Sequence, residues 1–346
     1  MKLMKAARIH GYNEPIMIDD VADPQITDPT DVIIKVGGAG VCRTDLHILE
    51  GVWKDALADP VLPYTIGHEN AGWVEQVGSG VKHLKPGDPV ILHPLMSCGL
   101  CPACRAGQDM HCIAGRFPGL DGTDGGYAEY MKTSVRAVVP LSPDIDPVAL
   151  APFADAGITA YHAVKKLVPL LYPGSFVVVI GIGGLGHFAI QILRALTPAT
   201  IIAVDTHKAR LAFAERLGAH YGVLAGSDGG LKDVVGIAPR GADVVFDFVG
   251  EHCTPAVAPS MLAKGGTYSV IGYGGQVSTP TLDFVNREIN IVGNLVGTYN
   301  ELVELMELHR QGRVSISAQQ YPLADAPDVL KMLDRGEIIG RAVLVP

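Results

Sequence analysis

The sequence predicts an α/β chain of two domains, a β-rich first half followed by a doubly wound parallel sheet, and three observations carry that expectation. Short β-rich runs separated by glycine and proline fill the chain to about residue 150. From Pro152 onward, apolar runs alternate with helical patterns. A glycine-rich turn joins the first of those runs to an apolar helix. The expected first domain is residues 1–150, completed by 285–346, and the second is 151–284.

In the first half, DVIIKV (31–36), AGWVEQVG (71–78), DPVILHP (88–94) and AEYMKTSVRAVVPL (128–141) read as strands of a barrel-like domain. In the second, FVVVI (176–180), TIIAVD (200–205), DVVFDF (243–248) and GTYSVIG (266–272) are short, nearly continuous apolar runs, as parallel strands covered on both faces require. After about Leu282 the regularity changes again, and NREINIVGNLV (286–296) and IIGRAVLVP (338–346) read as strands of a tail returning to the first domain.

The turn after FVVVI is Gly181-Ile182-Gly183-Gly184-Leu185-Gly186, and it opens the helix HFAIQILRAL. This is the G-x-G-x-x-G dinucleotide fingerprint of a Rossmann unit in its required setting. Gly181 allows the tight turn, Gly183 lets backbone amides approach a pyrophosphate, and Gly186 lets helix pack closely on strand. Asp205 ends the next strand, where a carboxylate accepts the ribose hydroxyls of NAD and repels a 2′-phosphate. The competing reading is a plain glycine turn with an aspartate helix cap.

Four of the six cysteines, Cys98, Cys101, Cys104 and Cys112, lie in one stretch, CGLCPACRAGQDMHC. The N-terminal stretch shows no signal-like apolar run, and no run of about 18 apolar residues occurs, so a cytoplasmic protein with reduced thiols is expected. A chain of 346 residues buries an ample core without covalent staples. The compact spacing suits one tetrahedral structural Zn²⁺, with an iron–sulfur cluster as the rival.

A formal charge of −9, and no basic run, argue against nucleic-acid and anionic-membrane partners and leave a small molecule. No internal repeat or low-complexity tract is present. A second possible metal site is scattered. Cys42 lies in GVCRTDLH, His68 and Glu69 in IGHEN, and Asp155 in PFADAGITAYH. Singly they read as a core thiol, a turn histidine, a solvated charge and a helix cap, and spacing alone does not join them.

GVCRTDLH, GHENAGWVEQVGSGV, KPGDPV, the cysteine lobe, DGGYAEY, DAGITAYHA, GIGGLG and IIGRAVLVP together resemble the zinc-dependent alcohol dehydrogenases of the medium-chain dehydrogenase/reductase superfamily, in family order over nearly the whole chain. The resemblance implies a GroES-like catalytic domain built from both chain ends, with a Rossmann domain between them. It implies Cys42, His68 and Asp155 as catalytic zinc ligands, Glu69 near the metal or exchanging onto it, and Asp45 orienting His68. Asp155 stands where the Cys₂His type of this family has its second cysteine. Two zinc ions per chain and NAD are the implied cofactors, and the implied reaction is hydride transfer between an alcohol and NAD.

By the same resemblance Thr44 takes the alcohol proton, His47 is the surface end of the relay, and Arg43 and Arg341 contact the pyrophosphate. Trp53, His93 and Pro94 line the pocket, for a medium apolar or aryl, secondary alcohol. A homotetramer, or a dimer, is the implied assembly. The alternatives are a zinc-free quinone or enone reductase on the same fold, which should lack the cysteine lobe and ligand set, and a catalytically idle relative.

Overall fold

The computed structural model describes residues 2–54, 60–226 and 229–346. They form two compact units. One comprises the chain up to Ala156 with Thr298–Glu304 and Ile316–Pro346; the other comprises Gly157–Gly297 and Leu305–Ser315.

The first unit opens with β1 (Leu3–Ile9), β2 (Met17–Ala22), β3 (Asp31–Val41), helix α1 (Arg43–Leu49), β4 (Tyr64–Thr65), β5 (Glu69–Val77) and β6 (Pro89–Leu92). A short helix α2 (Pro102–Arg105), β7 (Tyr130–Ser134) and β8 (Val138–Pro140) follow. After helix α3 (Ala156–Leu167) come β9 (Phe176–Ile180), α4 (Gly186–Leu196), β10 (Thr200–Asp205), α5 (Lys208–Arg216), β11 (Tyr221–Leu224), β12 (Ala242–Asp247), β13 (Leu262–Val270) and β14 (Asn290–Gly293). The last strands, β15 (Ala318–Pro322) and β16 (Arg341–Val345), belong to the first unit.

In the first unit β3 is the organising strand, pairing antiparallel with β5, β7 and β16. Its register shifts twice against β5, at Ile33/Ile34 and at Val36/Gly38, and such bulges bend a strand and increase its twist. Ile34, Val36, Val74 and Val90 from β3, β5 and β6 meet Leu344 of β16 in one buried apolar cluster. Past the bulges the register sets Gly40 opposite Glu69 and Val41 opposite Ala342. The end of β3 is therefore flanked by the start of β5 and the start of β16.

The second unit holds a six-stranded sheet ordered β11-β10-β9-β12-β13-β14, with every neighbouring pair parallel. In chain order that is 3-2-1-4-5-6, and the order reverses between β9 and β12. FVVVI forms β9 because β-branched residues suit a strand covered on both faces, and Val177, Val178 and Val179 are fully buried. Val178, Val204, Val245 and Tyr268 form the core on one side of this sheet.

The edges differ from expectation. NREINIVGNLV contributes the end of a helix (Thr281–Arg287) and then β14, whose partner is β13. Residues 285–297 and 305–315 thus pack with the parallel sheet, and 151–156 pack with the first unit. β14 and β11 each leave two or more of their four residues exposed, so neither carries the apolar run that marks a central strand. No helix among the described residues is long and apolar enough to cross a membrane.

Candidate metal centre and dinucleotide turn

Cys42 ends the chain's passage from β3 into α1, His68 and Glu69 stand at the start of β5, and Asp155 immediately precedes α3. One donor atom from each lies within 4.8 Å of the others. His68 is 2% exposed; its Nε2 lies 3.4 Å from Asp155 Oδ2 and its Nδ1 3.2 Å from Asp45 Oδ1. Neither ring nitrogen makes a well-aligned hydrogen bond, although both are buried. Burial alone pushes His68 toward neutrality, but the Asp45 charge, with contacts to Asp155 and Cys42, outweighs it and holds the ring proton well above its usual range. A thiol, an imidazole and carboxylates converging on one buried point form an environment that stabilises a cation, and the donor types suit zinc.

Asp45 is fully buried on α1. Its Oδ2 accepts from the Cys42 amide at 2.8 Å and from the Tyr127 hydroxyl at 2.7 Å, leaving Oδ1 toward His68. Glu69, also fully buried, accepts from the Ala156 amide at 3.1 Å and pairs with the Arg341 guanidinium. Burial pushes the Glu69 carboxyl up to about 7, Arg341 pulling against it and Asp155 adding to it. Arg341 is 4% exposed, so its immediate partner is this carboxylate, where a pyrophosphate had been expected. The cause is register: with Ala342 opposite Val41, Arg341 enters the interior beside the end of β3.

Arg43, by contrast, is exposed and pairs with Asp334 at 3.1 Å. On α1, Thr44 is half-buried, and His47, expected at a surface, is 8% exposed. Pro94 is buried, Trp53 packs half-buried against the apolar core, and His93, 3% exposed, has Nε2 3.7 Å from Asp109.

The four lobe cysteines form a second cluster, with one sulfur each within 4.8 Å of the others. All are free, and Cys101 Sγ and Cys104 Sγ stand 3.5 Å apart, far from disulfide length. Two sulfurs on one tetrahedral zinc would be about 3.8 Å apart, given Zn–S bonds of about 2.3 Å. Backbone amides donate to these sulfurs, Cys98 to Cys112 at 3.3 Å and Leu100 to Cys98 at 3.5 Å. Such bonds lower Cys101 to about 6, whereas burial and the neighbouring thiols push Cys104 up to about 11. Four crowded sulfurs do not all ionise without a cation among them.

In the second unit the glycine turn connects β9 to α4. Gly181 has φ +86°, and a Cβ on Gly186 would meet the Gly181 carbonyl oxygen at 2.0 Å, so close packing forbids a side chain there. A Cβ on Gly183 would meet nothing within 4 Å; the turn is open where a phosphate would approach the amides heading α4. Gly184 and Leu185 complete that approach to the helix. Asp205, 6% exposed, accepts from the Ile182 amide at 2.8 Å and from the His207 amide at 2.9 Å. The sequence does not reveal this brace of the turn by the end of β10. Each carboxylate oxygen retains a further acceptor position. Arg210, 3.9 Å away, adds positive charge beside it.

A glycine-turn nucleotide unit and a zinc-type donor set define a metal-dependent dehydrogenase class, and comparisons with known proteins agree. The family model "Alcohol dehydrogenase GroES-like domain" matches residues 28–143, and "Zinc-binding dehydrogenase" matches 184–311. An alcohol dehydrogenase of Geobacillus stearothermophilus is 34% identical, covering 99% of both chains. An NAD-dependent alcohol dehydrogenase of Sulfurisphaera tokodaii is 33% identical, covering 99% of this chain and 100% of its own. The crystal structure of an alcohol dehydrogenase from Aeropyrum pernix is similar with a TM-score of 0.96 at 49% identity, covering 99% of this chain and 100% of its own. The chain belongs to the zinc-dependent alcohol dehydrogenase family of the medium-chain dehydrogenase/reductase superfamily.

Proposed function

We propose that the protein is an NAD-dependent zinc alcohol dehydrogenase that interconverts an alcohol and its aldehyde or ketone. The observation that carries this reading is the convergence of Cys42, His68 and Asp155 on one buried point, with Asp45 at His68 Nδ1 and the buried Nε2 making no well-aligned hydrogen bond. Cys42, His68 and Asp155 hold the catalytic metal, Glu69 stands beside it, and Cys98, Cys101, Cys104 and Cys112 hold the structural one. When bound, zinc supplies Lewis-acid polarisation of the substrate oxygen and the nicotinamide supplies two-electron redox capacity.

The chain's own residues do the rest. Asp45 fixes His68 through Nδ1, so that Nε2 faces the donor cluster. Thr44 presents a hydroxyl that takes the alcohol proton, and His47, three residues on along the same face of α1, passes it on through its imidazole. Gly181, Gly183, Gly184, Leu185 and Gly186 receive the pyrophosphate, with the exposed Arg43 as positive charge, and Asp205 accepts the ribose hydroxyls, whereas Arg341 is engaged by Glu69. Trp53, His93 and Pro94 favour a medium apolar or aryl, secondary alcohol in a cytoplasmic homotetramer or dimer. The zinc-free reductase reading loses its basis because both donor clusters are present.

Two measurements test this. Purified protein should reduce NAD, read by nicotinamide absorbance, with at least one of a panel of primary, secondary and aryl alcohols; no turnover across the panel would sink the reading. Elemental analysis should find one zinc for each of the two donor clusters, with Cys101→Ser losing the lobe ion alone.

Cofactor choice gives another expected outcome. Asp205→Ser should raise KM for NAD more than for NADP, because it removes both the hydroxyl acceptor and the charge opposing a 2′-phosphate. KM should rise for both, since the Ile182 amide loses its brace. An unchanged preference ratio would remove Asp205 from the ribose.

A further inference from the structure

We propose that Tyr127 is a positioning residue for the catalytic metal, its phenol locking the Asp45 carboxylate that orients His68; this rests on the metal-site reading above. Tyr127 is fully buried in the loop before β7 and lies outside the donor cluster. Its hydroxyl donates to Asp45 Oδ2 at 2.7 Å, with the Gly40 carbonyl a weaker acceptor at 3.2 Å. Asp45 Oδ2 thereby holds two donors, Tyr127 Oη at 2.7 Å and the Cys42 amide at 2.8 Å. A carboxylate pinned at one oxygen by two donors cannot swing its other oxygen away, and Oδ1 stays at His68 Nδ1.

The ring is fastened to the ligand as well. The Tyr127 amide donates to the Ile66 carbonyl at 3.0 Å, two residues before His68. Between them Gly67, at φ +99°, lies so close that an added Cβ would meet Tyr127 Cδ1 at 2.2 Å. Tyr127 thus ties together the turn that carries His68 and the helix that carries Asp45. Burial and the Asp45 charge keep its phenol protonated, so it remains a donor. A tyrosine that merely filled space would need its ring but not its hydroxyl.

The test is Tyr127→Phe, which keeps the ring, read first by metal and then by turnover. Loss of catalytic-site zinc to a competing chelator should accelerate about tenfold, within the 10–100-fold range for partners of ligating residues, while lobe zinc and the melting temperature stay at wild-type values. With cobalt in the catalytic site, the visible absorption of the variant should shift, reporting altered ligand geometry. In an Asp45→Ala background, which removes the acceptor, Tyr127→Phe should add nothing, because the path runs through that carboxylate. Unchanged metal release and cobalt spectrum overturn the proposal. So does an equal effect in the Asp45→Ala background, or a phenylalanine variant too unstable to retain either metal, since the hydroxyl would then hold the fold. A wild-type protein that binds metal only in the cysteine lobe overturns the metal-site reading itself, an outcome visible before any variant is compared.

Discussion

A His68→Ala variant is expected to lose about a thousandfold or more in kcat/KM, the scale set by losing a Lewis acid worth several kcal/mol at about 1.4 kcal/mol per factor of ten. It should also retain one metal ion per chain instead of two, the survivor bound by the lobe cysteines. The two readouts belong together because, in the proposed site, His68 lies between the other groups, with Nε2 against Asp155 and Nδ1 against Asp45. On the proposed assignment, removing it would delete a ligand and leave the Asp45, Glu69 and Asp155 carboxyls with less positive charge among them. Elemental analysis and steady-state kinetics on the same preparation check the result. A variant with near-normal turnover, or with both ions still bound, would detach His68 from the catalytic centre.

Arg341→Met should destabilise the folded chain by about 3–5 kcal/mol, the usual cost of removing one partner from a buried ion pair. Glu69 and Arg341 are 0% and 4% exposed, so Glu69 would be left without its counter-ion and without water. The double variant Glu69→Gln/Arg341→Met should recover much of the loss, since no uncompensated charge remains. The loss should also depend on pH. Burial already raises the Glu69 carboxyl to about 7, and removing Arg341 raises it further. A carboxyl raised in the folded state contributes stability that is fully present below its unfolded value and is lost as pH rises through the folded one. The deficit of Arg341→Met should therefore be smaller at about pH 5 than at about pH 8. Denaturant titrations at both pH values check this, and a deficit independent of pH would mean that Glu69 is not the group left stranded.

The sequence by itself determined what is local. The four lobe cysteines fall within fifteen residues, so one loop brings their sulfurs together. FVVVI followed by Gly181, Gly183 and Gly186 specifies strand, turn and helix consecutively, because each residue's backbone freedom or β-branching acts where it stands. Edge strands such as Asn290–Gly293 were harder to read, since a half-covered strand needs few apolar residues and leaves little periodicity. The buried donor cluster is legible in the sequence only through its resemblance to a family, because Cys42, His68 and Asp155 are separated by long stretches that no local pattern bridges. Tertiary structure decided that site through register. Pairing Gly40 with Glu69 brings Cys42 to His68, and pairing Val41 with Ala342 brings Arg341 to Glu69. A one-residue slip in either ladder would turn these side chains to the opposite face of the sheet, so a charge that reads as ordinary surface in the sequence becomes, by pairing alone, the buried partner of a carboxylate in the donor cluster.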